Sequence, residues 1–254
     1  MANTDVGGVD IHYEIVGEGH ALLLLHGAGT SRAMWEYMVP DLATSFRVIT
    51  CDLRGHGDSG RGDPTRYSIG LFADDIKGLL DKLGVEKVHF VGYSTGALIA
   101  EQFAITYPER LHTLVLGGTP TRVPPFFENT VPFGIRLMKF ERLGGLLLRR
   151  VPKDRRGHVA KVGTEMYSKA GKEVFSADVK ASRAFLEKLP DLTTISVPVL
   201  IVSGDKDSFS NGEVMRKLIP RARVAIIEGA THGLTAEKPE AFVKVILDFC
   251  REST

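Results

Sequence analysis

The strongest constraint on this chain is a set of short apolar runs, each bounded by turn residues. They are Leu22–Leu25, Val48–Thr50, Val88–Val91, Leu114–Leu116, Val199–Val202 and Val224–Ile227. Runs this short cannot cross a membrane, which takes about 20 apolar residues. They are mostly apolar, with Thr50 and His89 as the polar members, and rich in β-branched residues, where a half-exposed strand would alternate with polar ones. That pattern suits strands buried on both faces, and so a parallel sheet. Helical stripes alternate with the runs. Ser68–Leu83 places Ile69, Phe72, Ile76, Leu79 and Leu83 on one face, and Gly84 stops it. Ser94–Tyr107 reads as helix up to Pro108, and Pro239–Cys250 as a last helix. Ahead of these, Val9–Val16 alternates as a strand and Gly7-Gly8 reads as a hairpin turn. The expectation is an α/β fold with a mostly parallel central sheet flanked by helices.

One stretch breaks the alternation. Arg122–Lys188 has no convincing strand, carries Pro124-Pro125, and shows helical patterns around Ile135–Leu148, Val159–Tyr167 and Val179–Leu189. It holds 15 Lys/Arg against 7 Asp/Glu, a net +8, which leaves −7 for the rest of the 254-residue chain. We read it as a helical insertion over the carboxyl edge of the sheet, where α/β proteins bind ligands. The division is 1–121 for the first part of the core, 122–188 for the insertion and 189–254 for the second part. The basic insertion is placed to guide an anionic substrate or to touch an acidic surface, or simply to be solvated.

Composition narrows the function. A net charge of +1 is too near neutral for a general nucleic-acid binder. The two cysteines, Cys51 and Cys250, form no Cys-x-x-Cys spacing and so no zinc or redox pair. Met1–Asp10 has no apolar stretch of the secretory kind, and a cytoplasmic protein without stable membrane insertion is expected. Gly27-Ala28-Gly29 continues as Thr30-Ser31-Arg32, so it lacks the third glycine of a dinucleotide loop. Neither a Walker loop nor a His-Glu-x-x-His metal helix occurs, and no cofactor or metal is expected.

The sharpest chemical signal is Gly92-Tyr93-Ser94-Thr95-Gly96, between the run Val88–Val91 and the helix that follows it. A serine on a tight strand-to-helix turn projects its hydroxyl above the sheet edge, and the helix points its positive end at the same place. Serine needs a base, and the base a third group to hold it. Downstream, Gly204-Asp205-Lys206-Asp207 follows one strand, and Gly229-Ala230-Thr231-His232-Gly233 follows the next. With this order of serine, acid and histidine the chain resembles the α/β-hydrolase fold superfamily, the serine esterases, lactonases and bromoperoxidase-like enzymes with a helical cap. The resemblance covers about 1–120 and 190–254.

That resemblance implies Ser94 as nucleophile, His232 as base and Asp207 as the acid, by the family's Gly-x-x-Asp spacing, with Asp205 as the competitor. It implies an oxyanion hole from the Thr95 and Ala28 N–H groups, the latter on the His26-Gly27-Ala28-Gly29 loop. Asp52-Leu53-Arg54-Gly55-His56-Gly57-Asp58-Ser59 also matches. There Asp52 and Arg54 are expected to pair, and His56 to be structural. Serine at position 94 disfavours the haloalkane dehalogenases and epoxide hydrolases of this fold, which need a carboxylate there. Gly117, Gly118 and Thr119 leave the alternative acid position empty.

The expected reaction is hydrolysis of a carboxylic ester or lactone through an acyl-enzyme. The same triad supports carbon–carbon bond hydrolysis and cofactor-free perhydrolysis or haloperoxidation, and a small-ligand receptor with little or no turnover belongs to a different class. The expected partner is a small ester-like substrate with an apolar part. Its pocket is expected from Met34, Trp35 and Tyr93 near the site loops, Phe126, Phe127 and Phe133 on the insertion, and Phe209 and Leu234 beside the acid and the histidine.

Overall fold

The computed structural model describes residues 1–137 and 141–253. Strands β1 (Ala2–Val6) and β2 (Val9–Val16) form the expected hairpin. Gly7 and Gly8 turn it at φ 59° and 81°, the left-handed pair that a tight hairpin requires. Then follow β3 (Ala21–Leu25), the one-turn helix α1 (Val39–Leu42), β4 (Arg47–Cys51), α2 (Ile69–Lys82), β5 (Val88–Tyr93), α3 (Thr95–Thr106) and β6 (Leu111–Gly117). The insertion contributes α4 (Phe127–Leu137), α5 (Glu141–Leu147) and α6 (Arg156–Glu187). The chain closes with β7 (Val199–Gly204), α7 (Gly212–Leu218), β8 (Arg223–Ile227), α8 (Leu234–Glu237) and α9 (Pro239–Glu252).

The sheet runs β1-β2-β4-β3-β5-β6-β7-β8. β2 is antiparallel to both neighbours, and every pairing from β4–β3 to β7–β8 is parallel. Every residue of β3 is buried, and the period of two divides its leucines between two layers. Leu23 and Leu25 join Phe72, Ile76 and Leu79 of α2 and Phe103 of α3. Leu22 and Leu24 join Trp35 and, from α9, Phe242 and Ile246. The ends of α2 are set by short-range chemistry. Ser68 caps it by accepting the Leu71 N–H at 3.1 Å, and Gly84 leaves it at φ 63°. Its buried face is worth roughly 1.5–3 kcal/mol for each large side chain removed from water.

Because strands β3 and β5–β8 are parallel, the loops that leave their carboxyl ends meet along one edge. Ser94 N donates to Gly117 O at 2.9 Å, and Gly118 N to Val202 O at 2.8 Å, which ties three of these ends together. The insertion attaches to the core beside this edge. Of the helical pattern expected around Ile135–Leu148, the part up to Leu137 lies in α4 and Glu141–Leu147 forms α5, while Met138, Lys139 and Phe140 lie outside the described residues. The α6 helix breaks at Gly171, whose φ of 75° is left-handed.

The charge split between insertion and core reappears as contacts. Lys169 meets Asp58 at 2.5 Å, His158 meets Glu36 at 2.9 Å, and Arg155 pairs with Glu240, while Arg61–Glu173 runs the opposite way. Such exposed pairs contribute little each, but they occupy part of the basic surface noted in the sequence. Among the described residues no helix is long and apolar enough to cross a membrane.

Candidate active site

The turn between β5 and α3 is strained. Ser94 has φ 55° and ψ −120°, and it is the one non-glycine at positive φ among the described residues. Such a backbone costs about 1–3 kcal/mol and persists only where its surroundings impose it. Here the glycines impose it. A side chain on Gly92 would overlap the Gly96 carbonyl, and one on Gly96 would meet the Leu25 and His26 carbonyl oxygens at 2.5 Å. The turn is therefore pressed against the end of β3. Gly27 lies directly on the serine, since a Cβ there would stand 3.0 Å from Ser94 Cβ and 3.5 Å from its Oγ.

Three side chains from separate loops line up at this point. Ser94 Oγ lies 3.0 Å from His232 Nε2, and His232 Nδ1 lies 2.9 Å from Asp207 Oδ2. The carboxylate facing Nδ1 keeps the proton there and leaves Nε2 as the acceptor for the serine. The Asp207 side chain is almost fully buried. Its Oδ1 accepts the N–H groups of Phe209 and Ser210 at 2.8 and 3.1 Å. Burial works to raise its pKa, but the hydrogen bond and charge of His232, with the two N–H groups, outweigh that and hold the carboxyl below its ordinary value. Asp205 does not reach the histidine. It accepts the Gly229 N–H at 2.6 Å and pairs with Lys206.

Two further groups hold His232. Tyr93 donates its hydroxyl to the His232 carbonyl at 2.9 Å, and Glu237 accepts from Thr231 N and Oγ1 at 2.8 and 2.7 Å. Glu237 escaped the sequence reading, although its place one turn after a Thr-His pair is a signal for such a brace.

Thr95 opens α3, so its N–H has no partner within the helix. Among the described residues neither that N–H nor the one of Ala28 is engaged elsewhere. The Ala28 loop is fixed by His26. This ring is fully buried, its Nδ1 donates to Gly27 O at 2.8 Å, and its Nε2 accepts Leu53 N at 3.0 Å. Burial, with His56 nearby, lowers its pKa to about 3, so it is neutral.

Ser94, His232, Thr95 and Ala28 line a cavity of about 360 Å³. Met34, Tyr93, Phe127 and Phe209 line it as well. Four expected pocket residues do not. Trp35 is fully buried beneath the sheet, stacked on Phe242 at 6.3 Å, and belongs to the core. Leu234 is likewise buried, and Thr235 and Ala236 line the cavity in its place. Phe126 and Phe133 are 73% and 64% exposed. The inward stripe of α4 is Phe127 and Val131, four apart, and neither Phe126 nor Phe133 lies on it. From the insertion, Val159, Val162, Phe175 and Ser182 complete the wall, and Arg122 stands at it without an ion pair among the described residues.

The loop after β4 also departs from expectation. Arg54 does not pair with Asp52; it makes a two-pronged contact with Asp75 on α2. Asp52 instead accepts the N–H groups of Arg32 and Asp58 at 2.8 and 3.0 Å, because the chain folds at Gly57 over its carboxylate. His56 is fully buried and lies 2.7 Å from Asp178 of α6.

The chain is similar to known proteins of one family. The model of the alpha/beta hydrolase fold family matches residues 20–161. A pimeloyl-[acyl-carrier protein] methyl ester esterase of Aeromonas hydrophila is 27% identical, over 95% of this chain and 99% of that protein. A putative carbamate hydrolase of Azorhizobium caulinodans is 29% identical over 97% of each. The crystal structure of the enol-lactonase from Burkholderia xenovorans LB400 superposes with a TM-score of 0.82 at 28% identity, covering 98% of this chain and all of that one. With the family's pattern extending over more than half its length, and an esterase, a putative carbamate hydrolase and a lactonase among its full-length relatives, the chain belongs to the alpha/beta hydrolase fold family and is a hydrolase of that fold.

Proposed function

We propose that the protein hydrolyses a carboxylic ester or lactone through an acyl-enzyme on Ser94, His232 and Asp207. The observation that carries this is the relay Asp207–His232–Ser94, at 2.9 and 3.0 Å, opening into a largely apolar cavity. Ser94 attacks the carbonyl carbon while His232 Nε2 takes its proton. The Thr95 and Ala28 N–H groups bind the oxyanion, aided by the positive end of α3. His232 then protonates the leaving alkoxide. Water, deprotonated by His232, attacks the acyl-enzyme and releases the acid. Asp207 holds the imidazole and balances its charge throughout.

Residues 122–188 act as the cap of this site. Met34, Phe127, Phe175 and Phe209 supply the surface for an apolar acyl or ring group. We infer a small substrate met in the cytoplasm. The esterase and the enol-lactonase among the relatives support ester and lactone chemistry over perhydrolysis and receptor function, and a meta-cleavage product hydrolase of the same fold, 26% identical with a TM-score of 0.79, keeps carbon–carbon cleavage as the second reading. The test is turnover across p-nitrophenyl esters of increasing acyl length, with mass spectrometry after fluorophosphonate treatment. Turnover with the label on Ser94 is expected. A label on another serine, or no turnover beyond a single equivalent, overturns the reading.

A further inference from the structure

Four residues on one face of α6 touch core loops at the site: Phe175 and Ser182 meet the segments of the oxyanion donors, and Val174 and Asp178 meet the loop after β4 that abuts them. A Cβ on Gly55 would meet Val174 at 3.1 Å, and one on Gly29 would meet the Phe175 ring at 2.6 Å. Asp178 Oδ2 lies 2.7 Å from His56 Nε2, with both side chains fully buried. The Gly29 N–H lies 3.2 Å from that same ring nitrogen. Ser182 Oγ lies 3.2 Å from Thr95 Oγ1, again buried. Asp178 and Ser182 are four apart, one above the other on the helix. One contacts the loop of Ala28, through His56, and the other contacts Thr95 itself.

Simple packing does not explain these polar residues. A buried ion pair is weak evidence for stability, since apolar groups of equal volume often do as well. Among the described residues Asp178 takes no partner other than His56. His56 Nδ1 faces the Arg54 carbonyl at 3.1 Å, and Nε2 faces both the Asp178 carboxylate and the Gly29 N–H, so the ring is held from both sides. What the pair does supply is direction. It fixes the ring that abuts the Gly29 amide, next to Ala28.

We propose that α6 sets the oxyanion hole from the cap side, with Asp178 and Ser182 as positioning residues acting through His56 and Thr95. Displacing an N–H donor by even part of an ångström weakens the hydrogen bonds that form in the transition state, while the apolar contacts that bind substrate persist. The inference rests on the hydrolase reading of Ser94.

The experiment compares Asp178→Asn, Ser182→Ala and Ser182→Thr with the wild-type chain. Three quantities are read: kcat and KM on a p-nitrophenyl ester, inhibition by phenylboronic acid, and hydrogen exchange of segments 26–30 and 94–98. A boronate adduct on Ser94 places an oxygen in the oxyanion hole. Asp178→Asn and Ser182→Ala should lower kcat about tenfold or more with KM changed less than twofold, and weaken boronate inhibition by a similar factor. Exchange should accelerate in segment 26–30 for Asp178→Asn and in segment 94–98 for Ser182→Ala. Ser182→Thr, which keeps the hydroxyl, should recover most of kcat. A change confined to KM, or unaltered exchange and boronate affinity, overturns the proposal. If the wild-type protein neither turns over esters nor takes a fluorophosphonate on Ser94, the hydrolase reading fails on its own, and the exchange arm still decides whether α6 holds these loops.

Discussion

Replacing Asp207 by Asn tests the relay at its least forgiving point. Asp207 Oδ1 is held by two backbone N–H groups, at 2.8 and 3.1 Å. In the variant only the amide oxygen can face those donors, so the amide NH₂ is turned toward His232 Nδ1, 2.9 Å away in the wild type. A donor there forces Nδ1 to accept and moves the imidazole proton to Nε2. That nitrogen, 3.0 Å from Ser94 Oγ, then cannot take the serine proton. The loss should approach the roughly 10⁴-fold in kcat known for the equivalent change in a serine protease, or about 5.5 kcal/mol at 1.36 kcal/mol per factor of ten. The assay is steady-state hydrolysis of a p-nitrophenyl ester, with near-ultraviolet circular dichroism to show that the fold persists. Asp205→Asn is the control, because Asp205 accepts from Gly229 and does not reach the histidine. It should lose no more than a few-fold. A loss under tenfold for Asp207→Asn, or a larger loss for Asp205→Asn, would refute the argument.

Other outcomes follow from the packing and the buried charges. Phe127→Ala should shift the preferred acyl length in the ester panel with little change in Tm, whereas Trp35→Ala should cost about 3–5 kcal/mol of stability in denaturant unfolding. Burial pushes the pKa of the unpartnered Glu101 up to about 8. An acid raised in the folded state loses stability as pH climbs from its unfolded value, about 4.3, toward the folded one. Glu101→Gln should therefore raise Tm more at pH 8 than at pH 5, and an equal change at both would contradict this. His56 is held above its ordinary value: burial opposes its charge, but Asp178, the Arg54 carbonyl and Asp52 outweigh that, with neutral His26 alongside. Its contribution is full below the unfolded pKa of about 6.5 and is lost as pH rises through the folded value. Tm should decline above neutral pH, and Asp178→Asn should flatten that decline.

The strands were legible because a doubly buried strand is apolar along most of its length, as β3 is throughout, with a buried polar residue such as His89 of β5 meeting a partner in Thr113 of β6. Ser94, Asp207 and His232 were legible because each sits on a loop whose conformation depends on glycine or on spacing within a few residues. Partners set by tertiary packing were not. Arg54 turns to Asp75 on α2, away from its near neighbour Asp52, and His56 meets Asp178 across the interface between core and insertion. Nothing local distinguishes these choices. The pocket was legible only in part for a similar reason. Trp35 and Met34 are adjacent, yet the turn at Arg32–Trp35 sends one into the layer beneath the sheet and the other to the cavity. Hydrophobicity alone cannot separate those destinations.

The break at Gly171 has a consequence for how such an enzyme can diversify. Before it, α6 brings His158, Val159, Val162 and Gly163 to the cavity; after it, Phe175 and Ser182 also reach the cavity, but together with Val174 and Asp178 they lie against the core loops. A continuous helix would have locked the two stretches in rotational phase, so that reshaping one would disturb the other. The left-handed glycine uncouples them. Substitutions at His158, Val159, Val162 and Gly163 can reshape the cavity while the contacts of Val174 and Asp178 with the core stay in place, which makes the region before Gly171 the natural target for altering selectivity by directed evolution.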